Sequence, residues 1–129
     1  MDNLYLANEW FEIAEMDISS AKFLQNMHSA PIAIICYHCQ QSSEKFLKGF
    51  LALNEHEIVK THDLVLLNKL CCKYDDTFSI LVEECLRLTD FGVNIRYPYQ
   101  MELNLSDIKL AINDAEKVKN FVLSKLEAN

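Results

Sequence analysis

The most informative stretch of this chain covers residues 37–51 and reads YHCQQSSEKFLKGFL. A helix turns by about 100° per residue, so residues three and four positions apart share a face. The apolar face of this stretch carries Cys36, Cys39, Ser43, Phe46, Leu47 and Phe50, and the polar face carries His38, Gln41, Glu44, Lys45 and Lys48. The pattern predicts an amphipathic helix. Its polar face either binds an anion or a partner chain, or is simply exposed to water.

Periodic apolar patterns on both sides of this stretch predict further helices, five in all. They cover about residues 4–27, 31–53, 61–74 and 75–91, and the last begins at Asn104 or Ser106. Thr61 is the expected cap of the third helix, and Gly92 is the expected stop of the fourth. Residues 93–103 are expected to be irregular. The apolar stripe of the first helix contains Leu4, Ala7, Phe11, Ala14, Ile18 and Ala21, and Trp10 and Ile13 widen it.

The composition favours an all-α protein. Among 129 residues there are only two glycines and two prolines, and half of the residues are apolar. Few turn formers and many helix formers are typical of a helical chain. Long helices with short connections predict an antiparallel up-and-down bundle of four to five helices, forming a single domain over residues 1–129. The first helix is long for so small a core, so we expect exposed apolar surface and a homodimer.

The formal net charge of −7 argues against a broad nucleic-acid-binding surface, because such a surface must be basic. The N-terminal residues lack the apolar segment of a signal peptide, and no apolar run approaches the ~18 residues of a membrane span. We therefore expect a cytoplasmic protein that does not enter a membrane.

The five cysteines are an odd number in a chain without an export signal, so we expect reduced thiols. Cys36 and Cys39 have the spacing of half a zinc site, but both fall in an apolar helical stretch and are expected to pack as small buried side chains. The chain has no Glu-x-x-His pair, no His-Glu-x-x-His and no glycine-rich phosphate loop. The sequence therefore predicts no metal and no cofactor.

Four groups of residues resemble the HEPN domain family, a helical family often encoded beside minimal nucleotidyltransferases. The groups are Trp10, Ala14, Asp17 and Ala21 in the first helix; Cys39, Gln40, Gln41, Glu44, Lys45 and Lys48 in the second; Lys60, Thr61, His62, Asp63 and Leu64 before the third; and Arg96, Tyr97 and Pro98 before the last. The resemblance covers nearly the whole chain. It implies a helical bundle, commonly dimeric, in which Trp10, Asp17, Gln40, Glu44, Thr61, Asp63 and Pro98 are structural positions of the family motif.

Some members of this family are RNA-cleaving toxins that use an arginine followed, after four to six residues, by a histidine. This chain has only Arg87 and Arg96, and no histidine follows His62. The resemblance therefore implies a non-catalytic HEPN module that binds a nucleotide-like anion, a nucleotidyltransferase partner or both, in a toxin–antitoxin or stress system. The alternative is a ribonuclease with a non-standard site, in which His62 or His38 replaces the missing imidazole.

The candidate ligand-binding residues supply cations, hydrogen-bond donors and aromatic rings. Lysine and arginine bind phosphate, and tyrosine can stack on a base. Simpler structural roles stay open for the same residues: the lysines as solvated side chains, Glu44 as an i, i+4 partner of Lys48, the two glutamines at a subunit contact, and the tyrosines covering the end of the bundle. The candidates are Gln41, Lys45, Lys48, His62, Arg96, Tyr97 and Tyr99.

Overall fold

The computed structural model describes residues 3–93 and 103–127, and this part of the chain contains helices and no strand. The helices are α1 (Asn3–Leu24), α2 (Ile32–Leu53), α3 (Leu64–Cys72), α4 (Val82–Val93) and α5 (Leu105–Glu127). A 3₁₀ helix over Asp76–Leu81 leads into α4. The predicted all-α fold of five helices is confirmed.

The helices run as an antiparallel up-and-down bundle, as predicted. In the α1–α2 pair, Phe11 stacks on Phe46 with ring centroids 5.8 Å apart, while Ser42 Oγ donates to the Ala14 carbonyl at 2.8 Å. Later residues of α1 thus meet earlier residues of α2. The α4–α5 pair has the same sense, because Glu84 binds Lys117 whereas Arg87, later in α4, binds Asp114. Helix α2 lies at the centre and contacts each of the other four helices.

The close packing of α1 on α2 depends on a glycine. A Cβ atom at Gly49 would lie 2.3 Å from Cε1 and 2.7 Å from Cδ1 of Phe11. Both residues are buried, and the Phe11 ring fills the space that a side chain at position 49 would need. Gly49 is therefore required here for packing rather than for an unusual backbone conformation.

Several helix boundaries differ from the sequence predictions: α4 includes Gly92, its predicted stop, and ends at Val93, and three others differ for local reasons. Asp63, not Thr61, caps α3, because its carboxylate accepts hydrogen bonds from the Val65 and Leu66 amides. The segment predicted as the start of a fourth α-helix begins instead as the 3₁₀ helix, capped by Asp75, whose side chain accepts from the Thr77 amide. Helix α1 ends at Leu24 rather than near residue 27, and a turn follows in which Ser29 has a φ of 62°.

Part of the predicted apolar stripe of α1 is not in the core. Ala7, Phe11, Ala14, Ile18 and Ala21 are buried as expected. Leu4 and Ile13, however, are 51% and 47% exposed, and Trp10 is only half-buried. The neighbouring helices cover one side of α1 and leave its outer side open. Within the described residues, no helix is long and apolar enough to cross a membrane.

Candidate functional site

The first half of the site is a cluster around the buried carboxylate of Glu44, which is 3% exposed. Lys48 Nζ lies 2.9 Å from its Oε2, and His62 Nδ1 lies 2.9 Å from its Oε1. The Gln40 amide donates to Oε1 at 3.3 Å and to the His62 carbonyl at 3.0 Å, and Gln41 donates to Gln40 Oε1 at 2.8 Å. Glu44 thus links α2 to the loop that precedes α3.

The second half is a cluster around Asp17 on α1. Lys45 Nζ lies 2.7 Å from Asp17 Oδ2, and His38 Nδ1 lies 3.0 Å from Asp17 Oδ1. The Asp17 side chain is only 14% exposed, so this contact is largely shielded from water. The predicted polar face of α2 therefore divides: Glu44, with Gln40 beside it, contacts the loop before α3, whereas His38 and Lys45 contact α1.

Each of the two lysines on α2 is neutralised by a carboxylate of the same chain. Their side chains are 20% and 11% exposed, so they are not solvated surface lysines. The Lys48 ammonium also lies 5.7 Å from the centre of the Trp10 ring, a cation–π contact. Of the predicted ligand-binding residues, the structure brings Gln41, Lys48 and His62 together around Glu44 and places Lys45 on the neighbouring Asp17.

The other three predicted ligand-binding residues, Arg96, Tyr97 and Tyr99, lie outside the described residues, as does Pro98. The predicted approach of this segment to the polar face of α2 stays a prediction. Of the family-motif positions, Trp10, Asp17, Gln40 and Glu44 take part in the contacts between α2 and its neighbours. Asp63 caps α3, and Thr61 accepts a hydrogen bond from the Asp63 amide.

Glu44, which the sequence pattern placed on the polar face of α2, is an interior residue rather than one exposed to water. The correction has a physical reason: its oxygens accept hydrogen bonds from charged and neutral donors, which offsets the cost of burial. Gln40 is also fully buried inside the chain, so it is not at a subunit contact. The predicted i, i+4 pairing of Glu44 with Lys48 is present.

Two histidines in these clusters are held in the way that general bases are held in enzymes. Each has Nδ1 against a carboxylate, which leaves Nε2 for proton transfer. A phosphodiester substrate also needs a cation that is free to bind its charge. Lys45 and Lys48 are both held by carboxylates, and so is Arg87, which makes two hydrogen bonds to Asp114 at 2.8 and 2.9 Å. The hydrogen bond to Asp114 raises the pKa of Arg87 above its ordinary value.

The cysteines pack as small apolar side chains. All five are free thiols, and four are buried. Burial raises the pKa of Cys36 and of Cys85 to about 12, and it raises the pKa values of Cys39 and Cys71 as well. Cys72 is partly exposed. In the parts of the chain that the structure describes, no three histidine, cysteine or acidic side chains are grouped as a metal site would require.

A feature that the sequence analysis missed is a pair of neighbouring clefts that share Trp10. One lies on the outer side of α1 and is lined by Leu6, Glu9, Trp10 and Ile13. The other lies between Trp10 and the loop after α2, where Glu57 and Ile58 contribute. The exposed fraction of Ile58 is 79%. Periodicity placed Trp10 and Ile13 in the core, and the sequence signal for this surface is an aliphatic residue, Ile58, in a polar connector.

Comparisons with known proteins agree with the geometry of the bundle. A family model described as HEPN domain matches residues 7–126. The crystal structure of TT1696 from Thermus thermophilus has a TM-score of 0.80 and 24% identity, covering 92% of this chain and 97% of that one. The crystal structure of ST0689, an archaeal HEPN homologue, has a TM-score of 0.73 and 21% identity, covering 92% and 96%. No curated protein matches. The family match extends over nearly all of the sequence, and the chain belongs to the HEPN domain family.

Proposed function

We propose that this chain is a non-catalytic HEPN module that acts by binding another protein, and that a small nucleotidyltransferase is the first partner to test. The observation that carries the proposal is the neutralisation of Lys45 by Asp17 and of Lys48 by Glu44. Side chains that already hold one another inside the fold have little left with which to grip a phosphate or stabilise a transition state.

The exposed apolar surface of α1 also supports the proposal that the chain binds another protein. Helix α1 exposes large apolar side chains along most of its length: Leu4, Tyr5, Leu6, Ile13, Met16 and Phe23. Single exposed apolar residues are ordinary, but a series along one helix is typical of a protein-binding surface. The choice of a nucleotidyltransferase rests on the family, whose members are often encoded beside such enzymes.

A homodimer is part of this proposal. Phe23 is 75% exposed near the end of α1, and Ile34 is 48% exposed in the first turn of α2. Near Phe23 lies an open groove with Leu24 and His38 in its walls. Contact between two copies here would cover apolar surface that the monomer leaves in water. The mass in solution, measured by light scattering at micromolar concentration, tests this, and a monomer mass would contradict it.

The nucleotide-like anion stays a prediction. It is supported by the exposure of the His62 side chain, 59%, at the edge of the Glu44 cluster. A thermal shift on addition of ATP or AMP that is lost in His62→Ala would support it. The toxin–antitoxin role is proposed on the basis of the family. The cytoplasmic compartment is proposed on the basis of the free thiols.

The test of the main proposal combines binding with activity. The purified protein is titrated by calorimetry with a minimal nucleotidyltransferase from the same genome, and it is incubated with RNA beside His62→Ala and His38→Ala. We expect saturable binding and no RNA cleavage above background. Cleavage by the wild-type protein that disappears in either histidine variant would overturn the non-catalytic proposal and make the ribonuclease the primary function.

A further inference from the structure

The surface around Trp10 is an apolar cleft with an acidic rim. We use the name Trp10 cleft for the surface formed by Leu6, Glu9, Trp10, Ile13, Glu57 and Ile58. Its groove along α1 has a volume of about 260 Å³. Its aliphatic side chains are well exposed, from 47% at Ile13 to 79% at Ile58. Both carboxylates are exposed, and among the residues that the structure describes neither has an ion-pair partner.

The geometry points to one kind of occupant. Resting on the proposed function, we propose that the Trp10 cleft is the docking site for an amphipathic helix of the partner protein, which presents aliphatic side chains to Trp10 and lysines or arginines to Glu9 and Glu57. Leu6 and Ile13 lie seven residues apart, roughly 10 Å along the helix axis, which matches the i, i+7 spacing of a second helix packed alongside. The backbone of α1 is already hydrogen-bonded within the helix, so side chains must provide the contact.

The charges favour a basic partner over a second copy of this chain. An isologous contact centred on Trp10 would bring Glu9 and Glu57 of both copies together, and like charges opposed across an interface are unfavourable. The whole chain carries a net charge of −7, which adds to this repulsion. Lys48 lies beneath Trp10, but Glu44 neutralises it, so it does not repel a basic helix. The homodimer proposed above uses the opposite end of α1.

The chain provides its own reporter, because Trp10 is its only tryptophan. Two synthetic helical peptides of about 18 residues without tryptophan serve as probes. Both have leucine at i, i+3, i+4 and i+7, and the polar face carries lysine in one and glutamate in the other. We expect the lysine peptide to give a saturable blue shift of the Trp10 emission and the glutamate peptide to bind roughly tenfold or more weakly.

Matched charge variants separate docking in the cleft from general attraction to an acidic protein. Glu9→Lys/Glu57→Lys should lower the affinity for the lysine peptide roughly tenfold. Glu83→Lys/Asp90→Lys changes the net charge equally at exposed positions on α4, and it should change affinity by less than about twofold. Equal weakening in both double variants, or peptide binding by calorimetry without a change in Trp10 emission, would overturn the proposed docking site.

The same variants distinguish this inference from the proposed function. If the nucleotidyltransferase binds the wild-type protein and Glu9→Lys/Glu57→Lys equally well, the cleft is not the docking site, although the protein remains a binding module. If the nucleotidyltransferase does not bind the wild-type protein, that partner is wrong, and the peptide titration alone decides whether the cleft takes a basic helix.

Discussion

The polar face of α2 is largely covered although its residues are ionisable, whereas the outer side of α1 is exposed although its residues are apolar. The α2 face is rich in ionisable residues, yet Glu44 and Asp17 draw these side chains into contacts within the chain. The outer side of α1 is rich in apolar residues, yet Ile13, Met16 and Phe23 are exposed. The difference teaches that the number of neighbouring helices, rather than the residue type alone, decides which face of a helix is covered.

Removal of the Glu44 carboxylate tests the polar side of this comparison and has the largest expected effect. Glu44→Ala leaves the Lys48 ammonium without its counter-ion and the buried Gln40 amide without one of its acceptors. We expect a loss of about 3 kcal/mol in the free energy of unfolding, measured by urea denaturation. Glu12→Ala, at an exposed position on α1, is the control and should change stability by less than about 0.5 kcal/mol.

The buried contact between α1 and α2 is tested by Gly49→Ala. Alanine raises helix propensity by about 0.5–1 kcal/mol, but its Cβ would overlap the Phe11 ring. We expect a net loss of stability of about 1–2 kcal/mol. In the Phe11→Leu background, Gly49→Ala should cost less stability than it does in the wild type. A single variant that is more stable than the wild type would show that the two helices can separate easily.

The acid sensitivity of the α4–α5 contact is a smaller effect. Burial raises the pKa of the Glu84 carboxyl, but the hydrogen bond from Lys117 and nearby positive charge more than offset this, so the pKa lies below its ordinary value of 4.5. A lowered pKa in the folded state stabilises the fold above the ordinary value and ceases to do so as pH falls through the folded value. The stability difference between the wild type and Glu84→Gln, from urea denaturation, should therefore shrink as pH falls below 4.5. A difference that is constant with pH would contradict this.

The reactivity of the thiols reports which side chains the bundle covers, and its expected effect is the smallest. Cys36, Cys39, Cys71 and Cys85 are buried, and desolvation raises their pKa values, so few of these thiols ionise near neutrality. A thiol-reactive dye at pH 8 should modify only Cys72 in the native protein and all five cysteines in denaturant. Rapid modification of a second cysteine without denaturant would show that the core opens locally.

The fold could be predicted from the sequence because its causes are local. Two glycines, two prolines and a 3.6-residue apolar period are sufficient for five helices, and short connections make neighbours antiparallel. Even the Glu44–Lys48 contact follows from i, i+4 spacing. The start of α3 was predicted less well, because Thr61 and Asp63 are both good caps and only the backbone decides between them.

The site was harder to predict because its contacts are distant in sequence. Asp17 lies 21 residues from His38 and 28 from Lys45, and only the register of α1 against α2 brings them together. The exposure of Ile13 depends on the absence of a covering helix among the described residues, which no periodic pattern encodes. The apolar patterns therefore predicted which residues can be buried, and the packing of the helices determined which of them are buried.

The central claim is that the charged residues of α2 form an interior network rather than a solvated face. A double-mutant cycle in urea with Glu44→Ala, Lys48→Met and the double variant measures it most directly, since the coupling energy isolates this pair. We predict a coupling of about 2 kcal/mol, because both side chains are shielded from water. A coupling of roughly 0.5 kcal/mol or less, which is typical of exposed i, i+4 pairs, would contradict the account.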